Sequence, residues 1–300
     1  MGYRALQAPR CRQRGFSLVE LMIALTIGMV VMGAVFVAYV AATQSTRHSR
    51  AIAQMTEDAT SALAVLRANL AMAGFSRPVG FSANGQRFKL LLSEPYLAGC
   101  QGSAFDDTAA AIGALAAACP ANSASQPDSV AVAYEANAGN SAMSVGTPAR
   151  PLDCLGNAVQ NIPAAGGLPT YDLAYSRFYL DGTNLMCRGN VNNPAQPLAE
   201  NVKDLQIQYG VQSDVKKWVV YYTDAAKVTD GGLWDRVGSV RICVVMQSDS
   251  DNVVDATTPY TGCFPANYSD TVTPDDKRAY RAFTTTIALN NRLPLDAPSP

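Results

Sequence analysis

From Leu21 to Ala42 the chain runs 22 residues without a charge, with Thr26 among its few polar positions. A helix of that length is about 30 Å long, enough to cross a bilayer core. Past Ala42 the composition turns polar but keeps a helical period. Ile52, Met55, Ala59, Leu63, Leu66 and Leu70 recur at helical spacing, with Arg47, Arg50, Glu57, Asp58 and Arg67 largely elsewhere. No proline falls between Phe16 and Arg77. The pattern predicts one helix from about Phe16 to Ala73, ending near Gly74 with Pro78 beyond. Its first half is apolar and its second half amphipathic. Ala34, Ala38 and Ala42, and Ala24 with Gly28, recur at i+4 and form stripes on which another helix can approach closely.

From Gly80 on, period two replaces the helical period. Strands are predicted at Arg87–Leu92, Ser129–Glu135, Tyr175–Leu180, Thr183–Cys187, Val202–Gln212, Trp218–Tyr222, Ser239–Gln247 and Ala282–Leu289. Leu205, Ile207, Tyr209 and Val211 alternate with polar neighbours, and Val240, Ile242, Val244 and Met246 do the same. Asp181-Gly182 suits a type I′ hairpin turn. Strands in series with short turns predict a mainly antiparallel sheet. Loops rich in Ala, Gly, Asn and Pro are expected at 98–127 and 136–170, and the Pro-rich end reads as a frayed tail.

Charge changes the picture at one end only. The whole chain of 300 residues is nearly neutral, at −1. Residues 1–15 carry Arg4, Arg10, Arg12 and Arg14 and no acid, so without them the remainder stands at −5. Arginines before the apolar run, with no comparable basic cluster immediately after it, place residues 1–15 in the cytoplasm and everything past Ala42 outside it. A near-neutral, mildly acidic body argues against a broad nucleic-acid or anionic-membrane surface.

There are seven cysteines and one histidine. Cys11 lies in the basic start. Cys100, Cys119, Cys154, Cys187, Cys243 and Cys263 are widely spaced, with no CxxC pair, so a Cys/His zinc site is poorly supported and disulfides in an exported domain fit better. Six cysteines allow 15 pairings. Sequential pairing, Cys100–Cys119, Cys154–Cys187 and Cys243–Cys263, closes modest loops. The alternative is that some are free buried thiols.

Glu20 is the odd residue. A carboxylate at the front edge of a spanning segment is costly unless it reaches the headgroups or finds a positive partner. A secretory signal peptide does not fit, because the apolar run is too long and no A-x-A-like cleavage site ends it. A plain anchor accounts for the arginines and the length but not for Glu20. The stretch "RGFSLVELMIAL" closely resembles the signal of type IV pilins and pseudopilins. That resemblance implies cleavage by a prepilin peptidase after Gly15 and methylation of the new N-terminal residue, Phe16. It also makes Glu20 the fifth mature residue. In a filament core Glu20 of one subunit could then face the Phe16 ammonium of a neighbour, removing two unmatched charges and acting as a register device. The second half of the chain resembles PilW-type minor pilins, through a Tyr/Phe-rich hairpin ending in Cys187-Arg188, then "LAENVKDLQIQYGV", "VGSVRICVVMQS" and "RAFTTTIALNNR". Major pilins often carry a proline midway along the apolar half, and its absence here leans toward a minor pilin.

The resemblance implies an α+β, type IV pilin-like fold: a long N-terminal helix packed on a mainly antiparallel β-sheet head with disulfide-bonded loops. The expected organisation is a cleaved cytoplasmic leader (1–15), the helix (16–75, spanning at 21–42), an extracytoplasmic head (76–290) and a flexible tail (291–300). The implied role is that of a minor pilin helping to prime pilus assembly, inserted in the inner membrane with its head in the periplasm and then built into the pilus. Expected partners are prepilin peptidase, other minor and major pilins, the inner-membrane assembly machinery and membrane lipid, without nucleic acid. A minor pseudopilin of a type II secretion system is the nearest alternative. An adhesin, a DNA-uptake subunit or a membrane-anchored exported enzyme stand further off.

No catalytic residue, cofactor or metal is expected. Walker, Rossmann, G-x-S-x-G and H-E-x-x-H motifs are absent. His48 has no visible catalytic partners. Asp249, Asp251 and Asp255 lack EF-hand spacing, so a solvated loop is expected there. Lys216-Lys217 beside Trp218 is a weak nucleic-acid footprint and reads as an exposed strand end.

Overall fold

The computed structural model describes residues 15–81, 88–90, 96–104, 119, 126–163, 169–189, 194–213, 218–254, 256–264 and 271–291. The four N-terminal arginines, Cys11, Lys216, Lys217, Asp255 and the tail from 292 onward lie outside them. The chain packs as two compact units, Met1–Ser49 and Arg50–Pro300.

One helix, α1, runs Leu18–Ala71. Within the first unit its large apolar side chains, from Leu18 to Val40, are all exposed. Thr26 does not leave a loose hydroxyl in this stretch, because its Oγ1 donates to the Ile23 carbonyl at 2.9 Å. The part of α1 in the second unit is one-sided. Met55, Ala59, Ala62, Leu66, Asn69 and Leu70 are buried, while Ile52 and Leu63, expected on the same stripe, are only partly covered. Their spacing is that of one helical face.

The helix stops as its sequence predicts. Met72 and Ala73 close the last turn with i−3 bonds to Asn69 and Leu70. Gly74 then takes a positive φ of 72°, which a residue with a Cβ adopts only with strain. Its N–H donates to the Ala133 carbonyl at 3.0 Å, so the chain leaves the helix directly onto the head.

The strands are β1 (Pro78–Phe81), β2 (Phe88–Leu90), β3 (Leu97–Cys100), β4 (Ser129–Glu135), β5 (Gln160–Ile162), β6 (Tyr171–Asp181), β7 (Asn184–Arg188), β8 (Gln196–Ala199), β9 (Val202–Gln212), β10 (Val219–Thr223), β11 (Val237–Gln247) and β12 (Tyr280–Ala288). A short helix, α2, spans Ala225–Asp230, capped by the Asp224 side chain. All strand pairs are antiparallel. They form two main sheets rather than one, ordered β10-β9-β11-β12 and β3-β4-β6-β7-β8, with β5 added to β6 and β1-β2 a separate pair.

Three differences from the sequence reading have local causes. The loop expected over 98–127 begins inside β3, whose four residues are all buried and so show no alternation. The loop over 136–170 contains β5, too short to register as a pattern. The hairpin between β6 and β7 closes with Asp181 opposite Asn184. Its central residues are therefore Gly182 and Thr183, and of these only Gly182 has a positive φ, at 60°. That is the type II′ pattern, which needs glycine at the first central position and spares Thr183 the left-handed region.

One core joins the helix to both sheets. Met55, Ala59, Leu66 and Leu70 meet Val130, Val132 and Phe178 of one sheet and Leu205, Ile207, Ile242 and Val244 of the other. A second, smaller cluster lies on the opposite face of the β3-β4-β6 sheet, where Ala98, Ala131 and Ala133 pack with Leu173 and Tyr175. Burial on both faces is why β4 reads as an unbroken apolar run.

Candidate assembly site at the N terminus

Gly15 has open space around its Cα. Phe16 is 82% exposed. The Ser17 carbonyl accepts the Leu21 N–H at 3.1 Å, so regular helix begins immediately after Phe16. Glu20 therefore stands in the first turn. The unpaired N–H groups of a helix start carry partial positive charge, which favours a carboxylate there. Glu20 is exposed and has no hydrogen-bond or ion-pair partner among the described residues. The next charged residue along the helix is Arg47.

The side chains behind Glu20 define what this end can do. Phe16, Leu18, Met22, Leu25, Met29, Val30, Met32 and Phe36 are all more than half exposed. A continuous apolar cylinder of this kind is costly in water and is stable only against lipid or other apolar helices. The helix is long and apolar enough to cross a membrane, and none of its most apolar window is covered within the chain. Gly28 meets nothing within 4 Å and Ala24, Ala34, Ala38 and Ala42 are exposed, so the close-approach positions are open as well.

In the head the cysteines are joined as Cys100–Cys119, Cys154–Cys187 and Cys243–Cys263, with Cα separations of 5.5, 6.6 and 5.6 Å. Each ties a strand of the core sheets to a neighbouring segment: β3, β7 and β11 supply Cys100, Cys187 and Cys243.

Of the other sequence candidates, His48 is exposed on α1. Asp251 shapes a turn: its Oδ1 accepts the N–H groups of Asn252 and Lys277, each at 2.8 Å. Those two backbone bonds hold its carboxyl below the usual range. Among the described residues no cluster of three or more His, Cys, Asp or Glu could hold a metal ion.

Three buried carboxylates escaped the sequence reading, Asp128, Glu135 and Asp153, and the first two join distant parts of the chain. Asp128 accepts the Gly102 N–H at 2.8 Å and the Ile207 N–H at 2.7 Å, joining the end of β3 to β9 of the other sheet. Burial pushes its carboxyl up to about 6, against the opposing pull of those two N–H groups. Glu135 is fully buried at the end of β4 and accepts the Arg77 N–H at 2.7 Å and the Ser76 hydroxyl at 3.3 Å. Neither sits in a motif. The one available signal was a carboxylate at each end of the unbroken apolar run of β4.

Two family models match the sequence. Residues 10–36 match the prokaryotic N-terminal methylation motif. Residues 176–291 match type IV pilus-assembly protein W, PilW. Among solved structures, the chain is similar to a type IV-like pilin from Thermus thermophilus, at 12% identity and a TM-score of 0.40, over 79% of this chain and 97% of that one. No curated protein matches the sequence at a significant level. Pilins are structural subunits and not enzymes. The methylation-motif match thus lies on the apolar helix and the PilW match on the second half of the β-rich head, from within β6 to just past β12, so at both ends the chain is similar to type IV pilins, and in its head to those of the PilW type.

Proposed function

We propose that this protein is a minor pilin of the type IV pilus, cut by prepilin peptidase after Gly15, methylated on Phe16, and used with other minor pilins to prime assembly. In this reading residues 1–15 are the cytoplasmic leader, 16–75 the helix with its spanning part at 21–42, 76–290 the periplasmic head, and 291–300 a tail. The inner-membrane assembly machinery and the major pilin are the further partners, and the mature subunit moves from the membrane into the pilus.

The observation that carries the reading is the exposed, unpaired Glu20 in the first turn of an uncovered apolar helix. In the uncut chain the Phe16 nitrogen is an amide. Cleavage turns it into an ammonium four positions before Glu20. Among bundled helices, away from water, either charge alone costs several kcal/mol by order of magnitude, and pairing them between subunits removes both penalties. Docking is then permitted only at the axial offset that brings the two together.

The mass of the N-terminal peptide of the mature protein, taken from its native membrane, tests the reading. A peptide beginning at Phe16 with one added methyl is the expected result. A peptide that retains residues 1–15 would leave an anchored protein with no route into a filament. Loss of pili on deletion, with protein secretion intact, separates the pilus from a type II secretion filament.

A further inference from the structure

Charge brackets the uncovered part of α1. Between Glu20 and Arg47 no charged residue intervenes. At 1.5 Å per residue the two stand about 40 Å apart along the helix axis. A bilayer measures about 40–45 Å with its headgroup layers and about 30 Å without them. With Glu20 among the headgroups on one side, Arg47 stands among those on the other.

The side chains in between suit that placement. The large apolar ones from Leu21 to Val40 are all exposed. The threonine hydroxyls near the far end need no water. Thr43 donates to the Tyr39 and Val40 carbonyls, each at 2.8 Å, and Thr46 to the Ala42 carbonyl at 2.8 Å. Tyr39, exposed about two turns before Arg47, supplies an amphipathic ring of the kind enriched where a membrane meets water.

At Arg47 the character of the surface changes. Arg47 and His48 are exposed, and neither has a hydrogen-bond or ion-pair partner among the described residues. Arg50 repeats the charge three residues on, and the first acid past the span is Glu57. A guanidinium at the surface of a lipid layer is drawn to phosphate, because its planar fork bonds two phosphate oxygens at once. His48 adds a ring N–H donor at the same level, whichever its charge state.

We infer that Arg47, with His48 beside it and Arg50 after it, binds the phosphodiester headgroups of anionic lipid on the side of the membrane opposite Glu20, and so fixes how deep the helix sits. The occupant is lipid, because the spacing from Glu20 and the uncovered apolar surface both match a bilayer. Under the proposed cleavage, on which this consequence alone rests, loss of residues 1–15 removes Arg4, Arg10, Arg12 and Arg14 from the other side. The new Phe16 ammonium is balanced by Glu20. The net positive flank then passes to Arg47 and Arg50, so the mature helix is held from their side and its N-terminal end is released.

The full-length protein is placed in nanodiscs holding equal amounts of phosphatidylglycerol and phosphatidylcholine, each lipid in turn carrying the same photoreactive group near its headgroup. Irradiation and peptide mass mapping locate the adducts. On residues 43–50 the phosphatidylglycerol adducts should exceed the phosphatidylcholine adducts about fivefold at low salt, the ratio expected for one arginine at an anionic lipid surface. Arg47→Gln should lower the ratio, and Arg47→Gln combined with Arg50→Gln should bring it to parity. Arg47→Lys keeps the charge but loses the fork, and should fall between. The ratio on residues 16–25 should stay unchanged in all three variants. Equal labelling of 43–50 by the two lipids would overturn the inference, by assigning Arg47 to a protein carboxylate. A preference that survives in the double variant, or adducts absent from 43–50, would overturn it too. Every readout is made on the uncut chain. A native N-terminal peptide that retains residues 1–15 would therefore end the minor-pilin reading and leave this contact standing.

Discussion

Arg77 and Glu135 join the exit of the long helix to the end of β4. The Glu135 carboxylate is buried and takes both the backbone N–H and the side-chain Nε–H of Arg77. Its own backbone N–H donates to the Phe75 carbonyl at 2.8 Å. The Arg77 side chain is 59% exposed, so this is a charge-assisted clamp reaching in from the surface. Replacing Glu135 by Ala removes the acceptor from two N–H donors and the Ser76 hydroxyl. The expected loss is about 2–3 kcal/mol, from several bonds to a charged group. Urea unfolding of the protein in micelles measures it. Arg77→Ala keeps the backbone bond and should cost less than half as much.

Asp128 makes stability depend on pH. Its folded carboxyl, at about 6, lies above the ordinary value of 3.8. The folded state therefore holds the proton more tightly than the unfolded chain does. Its contribution is fully present below about pH 4 and is lost as pH rises through about 6. The size is about 3 kcal/mol by order of magnitude, from a shift of roughly two units. Asp128→Asn should flatten the stability curve between pH 4 and 7. An unchanged slope in that variant would assign the pH dependence elsewhere.

The disulfides close segments of 19, 33 and 20 residues. In the loop-entropy description each stabilises by about 3–4 kcal/mol, and the longest slightly more than the others. Paired Cys→Ser substitution of Cys154 and Cys187 should lower the melting temperature the most. Differential scanning calorimetry under oxidising conditions ranks the three.

Leu66 is fully buried where the helix meets both sheets. Leu66→Ala should cost about 2–5 kcal/mol, through lost transfer energy and the cavity left behind. Ser61→Ala, at an exposed position of the same helix, should be nearly silent in the same denaturant titration.

Glu20→Ala, under the proposed function, should leave cleavage and methylation intact and abolish incorporation into filaments. Immunoblots of membrane and sheared-filament fractions read the two steps separately. Normal incorporation would remove the register role assigned to Glu20.

Much of this architecture was legible in the order of residues. The helix, its apolar and amphipathic halves and its glycine stop follow from local rules, because period, charge and backbone freedom act over a few residues. β4 and β9 were found at their full extent, since one is a buried run and the other alternates cleanly. The short strands β5 and β8 were not, because three or four residues hold too little pattern to stand apart from a loop. The sequence alone also marked Gly15, Phe16 and Glu20, whose signal lies within a single short stretch.

Tertiary structure decided what depends on residues far apart in the chain. Asn69 looks like a surface polar residue of the helix. It is buried because its side-chain oxygen accepts the Ser176 hydroxyl at 3.1 Å, across 107 residues. The split into two sheets, the clamp at Glu135 and the bridge that Asp128 makes between the sheets are of the same kind. Local preference is written in neighbouring residues, but burial and desolvation are set by which distant strands come to lie side by side.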